Sequence, residues 1–263
     1  MVGAAWGLDL PRHRVEGLAV VAPTAGPYTE WGTIGDQLSE LLKLPVLVEN
    51  DAAAAALGEF WSRRVSREQS FGCVYLSTGI GAGMVFGGAL FRGASFDAGE
   101  LGHLSIAYDG RPCPCGNQGC VERYASMTAS VDTARAHPAL AARLRLDGSV
   151  SSAYDTLARA AVSGDPDAFG VIEDAAGYLS VAVTSMVNLL DLGRIVLTGP
   201  GVAVAGSIYA RRLRSHLART AHARSRHEVQ VELSAQPRNA AGIGAAALVV
   251  QASIAPGHTP GMR

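Results

Sequence analysis

A dense group of possible metal ligands lies in the middle of this 263-residue sequence. Cys113, Cys115 and Cys120 fall within eight residues, and His103 precedes the first of them by ten. Three thiolates and one imidazole satisfy a tetrahedral zinc ion, and a closed shell of four protein ligands is typical of structural zinc. A disulfide framework would favour dispersed, paired cysteines in a short secreted chain. The sequence therefore predicts a structural zinc site, and the alternative is three reduced, unliganded thiols.

A second polar group follows a short apolar run. Residues 44–48 predict a buried strand, and the Ala-rich segment 51–64 predicts a helix, so Asn50 and Asp51 lie at the junction. In α/β proteins the carboxyl ends of strands form the edge where ligands bind. The positive end of the helix would keep Asp51 ionised. The alternative is that Asp51 only caps the helix.

Two glycine-rich turns are the third feature. The run Ser-Thr-Gly-Ile-Gly-Ala-Gly over residues 77–83 follows an apolar strand, and Thr-Gly-Pro-Gly over residues 198–201 follows another. Glycines allow backbone amides to approach an anion closely. The same pattern is also typical of a plain hairpin entry or tight turn, so the glycines alone decide nothing.

Composition limits the classes of protein that this chain can be. Hydrophobic residues make up 48% of the sequence, charged residues 17%, and the formal net charge is -1. That balance disfavours bulk electrostatic binding to nucleic acid or to an acidic membrane. The sequence has no apolar run of about 18 residues or more and no basic-then-apolar leader pattern. We therefore expect a cytoplasmic protein without a membrane partner.

Strand and helix patterns alternate along the chain, which predicts an α/β fold. Asp165 followed by Pro166 predicts the start of a long helix, because an N-cap residue and a proline at the first helical position favour initiation. The predicted strands span residues 44–48, 71–76, 194–198 and 229–233, and a hairpin joins 84–86 to 89–91. The predicted helices span residues 34–43, 51–64, 166–190 and 240–251.

The run AGELGHLSIAYDGRPCPCGNQGCVERYAS resembles the signature stretch of the ROK family, which contains repressors and sugar kinases. The resemblance implies that the histidine and the three cysteines bind zinc and that Glu100, His103 and Glu122 contact sugar hydroxyls. A rigid metal loop would hold such side chains in place, and one ring nitrogen of His103 could bind the metal while the other meets the sugar. The alternative for both glutamates is a solvated or helix-capping role.

Asn50 and Asp51 are similar to the family's asparagine–aspartate pair. The resemblance implies that both contact the sugar and that, in a kinase, Asp51 is the general base for the acceptor hydroxyl. Ala53 departs from the family, which usually has another asparagine there.

The glycine turns resemble the family's second phosphate loop and the segment near its nucleotide base. If the intact protein is a kinase, ATP and Mg²⁺ would bind there, although Pro200 removes one backbone donor. The phosphate- or nucleotide-binding residues implied in this way are Thr78, Gly79, Gly81, Gly83, Gly199 and Gly201.

The resemblance further implies an actin-like (ribonuclease H-like) two-lobed α/β ATPase fold. We expect residues 1–68 to be the remnant of an incomplete N-terminal lobe, joined by the C-terminal helix at about 240–254, and residues 69–239 to form the larger lobe. The family kinases begin with an Asp-x-Gly-Gly-Thr phosphate loop, and the regulators begin with a helix-turn-helix domain. This sequence contains neither, so we interpret it as lacking the N-terminal part.

These features leave the biochemical role open among three hypotheses. The first is the sugar-sensing effector domain of a transcriptional regulator, which would meet DNA only through a helix-turn-helix domain absent from this sequence. The second is an ATP-dependent hexose kinase, glucokinase-like or N-acylhexosamine kinase-like, represented by an incomplete chain. The third is a sugar-binding relic without either activity. We expect a homo-oligomer, a small-molecule sugar partner of unspecified identity, and no kinase activity from this chain as it stands.

Overall fold

The computed structural model describes residues 31–62, 70–95 and 97–254, together with the backbone of four short strands between residues 2 and 22. Within this part, two short 3-10 helices span Leu101–His103 and His222–Ser225. The strands are β1 Val2–Gly3, β2 Asp9–Leu10, β3 His13–Arg14, β4 Leu18–Ala22, β5 Val46–Asn50, β6 Phe71–Leu76, β7 Ile80–Phe86, β8 Ala89–Leu90, β9 Arg194–Thr198 and β10 Gln230–Leu233. The helices are α1 Trp31–Leu42, α2 Asp51–Ser62, α3 Glu122–Ala125, α4 Met127–Arg135, α5 Pro138–Leu144, α6 Val150–Val162, α7 Pro166–Leu190, α8 Val202–Thr220 and α9 Ala240–Ile254.

The strands form a five-stranded sheet of order β10-β9-β6-β7-β8 and a three-stranded sheet of order β1-β4-β5, while β2 and β3 pair only with each other. In the larger sheet β6, β9 and β10 are parallel, whereas β7 and β8 are added antiparallel. In the smaller sheet β4 and β5 are parallel. The prediction of an α/β fold is therefore confirmed. None of the described helices is both long and apolar enough to cross a membrane.

Both faces of the larger sheet are covered, and β6 is buried along its whole length. Val74 and Leu76 pack into one core with α4, α6, α7 and α8, while Cys73 and Tyr75 pack into a second core with α2 and α9. A strand buried on both sides explains the continuous apolar run at this position, since neither set of alternate side chains meets water.

Helix α2 lies between β7 and α9, and small residues make both contacts possible. A Cβ added at Gly83 of β7 would lie 2.5 Å from the Ala56 Cβ and 2.6 Å from the Ala52 carbonyl oxygen. A Cβ added at Gly244 of α9 would lie 1.6 Å from the Ala54 carbonyl oxygen. Backbone therefore meets backbone on both sides of α2, which explains its run of alanines.

Most predicted elements are confirmed, with shifts at their ends. Strands 71–76 and 194–198 have the predicted bounds, and Asp165 caps α7 by accepting hydrogen bonds from the Asp167 and Ala168 amides. Strand β7 begins at Ile80 rather than 84, because the glycine run extends the pairing with β6. Helix α2 is described to Ser62, and the rest of its predicted length falls on residues 63–69, outside the described part. The division into lobes at 1–68 and 69–239 stays a prediction.

The contact between α2 and α9 generates a paired prediction. Gly244→Ala should lower the free energy of unfolding by about 1–3 kcal/mol, because the new methyl group overlaps the α2 backbone. Gly242 lies in the same helix with no atom within 4 Å of its added Cβ. Gly242→Ala should therefore be neutral or stabilising by up to about 1 kcal/mol. Urea unfolding of the two variants checks this, and equal midpoints would contradict the close contact.

Candidate functional site

The four predicted metal ligands converge in the structure. His103 ends the short helix Leu101–His103, and the three cysteines come from the loop that follows. One ligand atom from each of the four residues lies within 4.8 Å of all the others. The cysteines form no disulfide.

The loop that carries the cysteines is held by short backbone pairings. Isolated antiparallel bridges join Ser105 to Cys120 and Pro112 to Gln118. Gly119 has φ of +72°, and a Cβ there would lie 1.7 Å from a carbonyl oxygen of the facing segment, so only glycine fits. The loop therefore brings its cysteines together through backbone contacts as well as through any metal.

The spacing of the donors fits zinc. Two sulfurs bound at about 2.3 Å to one tetrahedral zinc lie about 3.8 Å apart, and a sulfur and a nitrogen lie about 3.6 Å apart. The Cys115 and Cys120 sulfurs are 3.7 Å apart, and the Cys113 sulfur is 3.6 Å from Nδ1 of His103. Zinc at this position would tie the short helix to the cysteine loop with a closed shell of four ligands.

The thiols differ in how readily they ionise. Burial is the main cause that raises the pKa of Cys120 to about 12, and the neighbouring Cys113 and Cys115 add to it. The Asn117 backbone N–H, in contrast, lowers the pKa of Cys115. A bound cation would favour the thiolate form of all three, which is the form that binds zinc.

His103 has two neighbours of different kinds. Its Nδ1 faces the cysteine cluster, and its Nε2 is 3.8 Å from Oε2 of Glu100. The side chains of His103 and Glu100 keep 30% and 39% of their exposure, so both remain open to a ligand. This arrangement permits the double role predicted for His103, with one nitrogen for a metal and the other for a polar ligand.

Glu100 lies in an acidic neighbourhood. Burial is the largest cause that raises its pKa, and His103 opposes the shift. The carboxylates of Asp97, Glu122 and Asp51 raise the pKa further, so these acids lie close enough to interact with Glu100. The structure thus brings together four acids and one histidine that lie up to 71 residues apart in the sequence.

Glu122 is held by the first residue of β7, Ile80. Its Oε2 accepts a hydrogen bond of 2.9 Å from the Ile80 amide. A Cβ at Gly102 would lie 2.9 Å from the same oxygen and 2.4 Å from the Ile80 carbonyl oxygen. Glu122 therefore fastens the cysteine loop to the start of β7. The sequence left open that Glu122 is merely solvated or caps a helix. Its hydrogen bond to the Ile80 amide is a different role.

Asn50 and Asp51 have separate positions at the start of α2. Asn50 Oδ1 accepts hydrogen bonds of 2.9 and 3.1 Å from the Ala52 and Ala53 amides, so Asn50 is the capping residue. Asp51 is the first residue of the helix, and only 8% of it is exposed. Burial, followed by the Asp51 charge, raises the pKa of Tyr75 well above its usual range. Asp51 therefore faces the β6 side of α2 and is not the cap.

The candidate phosphate-binding residues of the first turn are divided between two elements. Thr78 and Gly79 lie in the turn between β6 and β7, whereas Gly81 and Gly83 lie within β7 opposite Tyr75 and Cys73 of β6. Gly83 is needed for the close approach of α2. The turn is also held by α4, whose first residues bond to the carbonyls of residues 77 and 78.

The second glycine turn packs on the end of β6. Gly199 has φ of +92°, and a Cβ there would lie 2.4 Å from the Leu76 carbonyl oxygen. The Gly201 amide donates to the same oxygen at 2.9 Å. Close packing on Leu76 therefore accounts for both glycines. The adjacent Thr198 hydroxyl is buried and has no hydrogen-bond partner among the described residues.

Sequence reasoning missed two residues next to this site. Glu49 precedes Asn50, and its carboxylate forms a buried ion pair with Arg92, which follows β8. Glu49 lies directly after the predicted strand of residues 44–48 and within the observed β5, where an acid is rarely buried without a partner. Nothing in the local sequence indicated that Arg92 is that partner.

The cysteine cluster generates a metal-binding prediction. The purified chain should carry about one Zn²⁺, and Cys120→Ala should lose it, since a tetrahedral structural site needs its four ligands. Cys73→Ala removes the buried thiol of β6 and should keep the metal, which makes it a matched control. Elemental analysis and a thiol-competing chromogenic chelator measure the content. Full zinc content in Cys120→Ala would contradict the ligand assignment.

Comparisons with known proteins agree with the architecture. The glucokinase of Halalkalibacterium halodurans is 34% identical over 222 residues, which are 82% of this chain and 67% of that enzyme. The xylose repressor of Bacillus subtilis is 25% identical over 226 residues, which are 85% of this chain and 56% of the repressor. This chain thus spans just over half the length of that repressor.

Solved structures include both kinds of relative. A ROK family glucokinase from Streptomyces griseus, in complex with glucose and AMPPNP, aligns with a TM-score of 0.72 and 33% identity, covering 82% of this chain and 72% of that one. A ROK family transcriptional regulator, a homolog of the Escherichia coli MLC protein, aligns with a TM-score of 0.69 and 29% identity, covering 83% and 55%. The fold is the actin-like ATPase fold of ROK sugar kinases. Because the ROK family model also matches residues 20–252, this chain belongs to the ROK family.

Proposed function

We propose that this chain binds a sugar between the start of α2 and the cysteine loop. The contacting residues would be Asn50, Asp51, Glu100, His103 and Glu122. The arrangement around His103 carries the proposal, because one ring nitrogen faces the cysteine cluster while the other faces Glu100. Carboxylates accept and an imidazole donates hydrogen bonds, which is what a polyol requires. The Glu122 contact with Ile80 and the Asn50 cap support a rigid site.

Beyond sugar binding, we propose that this chain is the sugar-sensing effector domain of a transcriptional regulator. The similarity to xylose repressors supports it. The glycines of the 199–201 turn pack on Leu76, which leaves less backbone there for a nucleotide. A sugar bound between two packed layers could shift the geometry of an attached DNA-binding domain.

The second candidate role is an ATP-dependent sugar kinase. Asp51 favours it, because a carboxylate at the first position of a helix can take the proton of a sugar hydroxyl as a general base. Similarity to glucokinases, at 34% and 31% identity for two of them, also supports it. In that role the glycine turns would contact ATP with Mg²⁺, and the exposed Thr78 could reach the ligand.

The sugar site is tested by titrating the chain with glucose and xylose in a calorimeter. Glu100→Gln should weaken the better-bound sugar roughly tenfold to a hundredfold, because a hydrogen bond to a charged group contributes about 1.5–3 kcal/mol. Asp109→Asn changes an exposed acid of the cysteine loop and should leave the affinity unchanged. Equal affinities for the wild type and Glu100→Gln would reject this site.

The two roles differ in their chemistry with ATP. We expect the 263-residue chain to form no sugar phosphate from MgATP and glucose above the level of Asp51→Asn, since phosphoryl transfer depends on positioned phosphates. Coupled detection of glucose phosphate measures the rate. A clear turnover in the wild type that Asp51→Asn abolishes would favour the kinase role instead.

A further inference from the structure

A buried ion pair joins the two segments that border the proposed sugar site. Glu49 is the residue before Asn50 in β5 of the smaller sheet, and Arg92 follows β8 at the edge of the larger sheet. The side chains keep only 8% and 17% of their exposure, and Arg92 NH1 donates to Glu49 Oε2. Removing one partner of a buried ion pair leaves the charge of the other partner uncompensated.

On the Glu49 side the contacts lead to the start of α2. The other carboxylate oxygen, Oε1, accepts a hydrogen bond of 3.1 Å from the Asn50 amide. Asn50 in turn caps α2 through the Ala52 and Ala53 amides. The Glu49 carboxylate is thus bound on one oxygen by Arg92 and on the other by the backbone that sets the direction of Asp51.

On the Arg92 side the contacts lead to the start of the cysteine loop. The Arg92 carbonyl accepts a hydrogen bond of 3.2 Å from the Ala98 amide, which closes the loop between them. The carbonyl of the next residue, Gly99, accepts a hydrogen bond of 2.7 Å from the Ala82 amide of β7. A Cβ at Gly99 would lie 1.8 Å from the Ala82 carbonyl oxygen. Glu100 follows directly, so Arg92 and Glu100 belong to one fastened segment.

We propose that Glu49 and Arg92 are positioning residues that set the distance between Asp51 and Glu100 and thereby the affinity for sugar. The inference rests on the proposed sugar site but concerns residues outside its contacting set. The pair acts through the Asn50 amide on one side and the 92–99 loop on the other. Its loss would let the start of α2 shift relative to the cysteine loop, and a small shift at a preorganised site lowers affinity.

The test compares Arg92→Met, Arg92→Lys, Glu49→Gln and the double variant Glu49→Gln/Arg92→Met with the wild type. Arg143→Met, which breaks an exposed ion pair to Asp165 between α5 and α7, is the control. Glucose affinity, zinc content and hydrogen exchange of the peptide spanning residues 50–57 are measured on each folded protein.

Arg92→Met should weaken glucose binding tenfold or more, keep its zinc, and speed exchange in the first turn of α2. Arg92→Lys should recover part of the affinity, and the double variant should lose less than the product of the two single losses, because the two residues act as a unit. Arg143→Met should change none of these. If Arg92→Met does not fold, Arg92→Lys and Glu49→Gln give the same comparison with milder changes.

Lowered thermal stability with unchanged affinity and unchanged exchange in α2 would overturn the inference, since the pair would then be structural only. If the wild type binds neither glucose nor xylose, the exchange measurement decides separately. Faster exchange in Arg92→Met would then uphold the positioning of α2 while the proposed sugar site fails, and unchanged exchange would reject the positioning as well.

Discussion

Helix α2 meets α9 on one side and β7 on the other, and at both contacts main chain approaches main chain. The approach is possible because Gly83 and Gly244 offer no side chain and α2 offers alanines. A helix held this closely on two sides has little freedom to slide or rotate, since interiors at native density leave no space for it. Packing along α2 therefore limits how far its first residues, Asn50 and Asp51, can move.

The cysteine loop lies on the other side of the proposed sugar site, and different interactions determine its shape. It contains little regular structure, so its shape depends on short backbone bridges, tight glycine turns and the four converging metal donors. Glu122 then connects this loop to the amide of Ile80 at the start of β7. Because Gly83 of β7 also packs against α2, both α2 and the cysteine loop contact the same strand. In this acidic group burial is the largest cause that raises the pKa of Glu100, and the neighbouring carboxylates add to it.

One scaffold serves both repressors and kinases among the relatives of this chain, and the arrangement of its residues suggests why. The proposed sugar site around His103 and Glu100 is formed by the start of α2 and the cysteine loop. The glycine turns at 77–79 and 199–201 adjoin a different point, the end of β6 at Leu76, and their glycines already serve chain packing. Under the proposed function, sugar recognition and phosphate chemistry would use separate parts of the fold, so either could change while the other is kept.

The sequence by itself determined the set of possible metal ligands, the α/β alternation and the ends of several elements. Such features depend on residues near one another in the chain: three cysteines within one loop, or Asp165 and the amides two and three residues later. Strand β6 was predictable because a strand buried on both faces has a continuous apolar pattern. Tertiary structure alone decided that Asn50 rather than Asp51 is the cap, that Glu122 binds the Ile80 amide, and that Glu49 meets Arg92. The last two contacts join residues that are 42 and 43 positions apart in the sequence. The order of the strands and the packing of the helices determine which distant residues meet, and local residue spacing does not predict it.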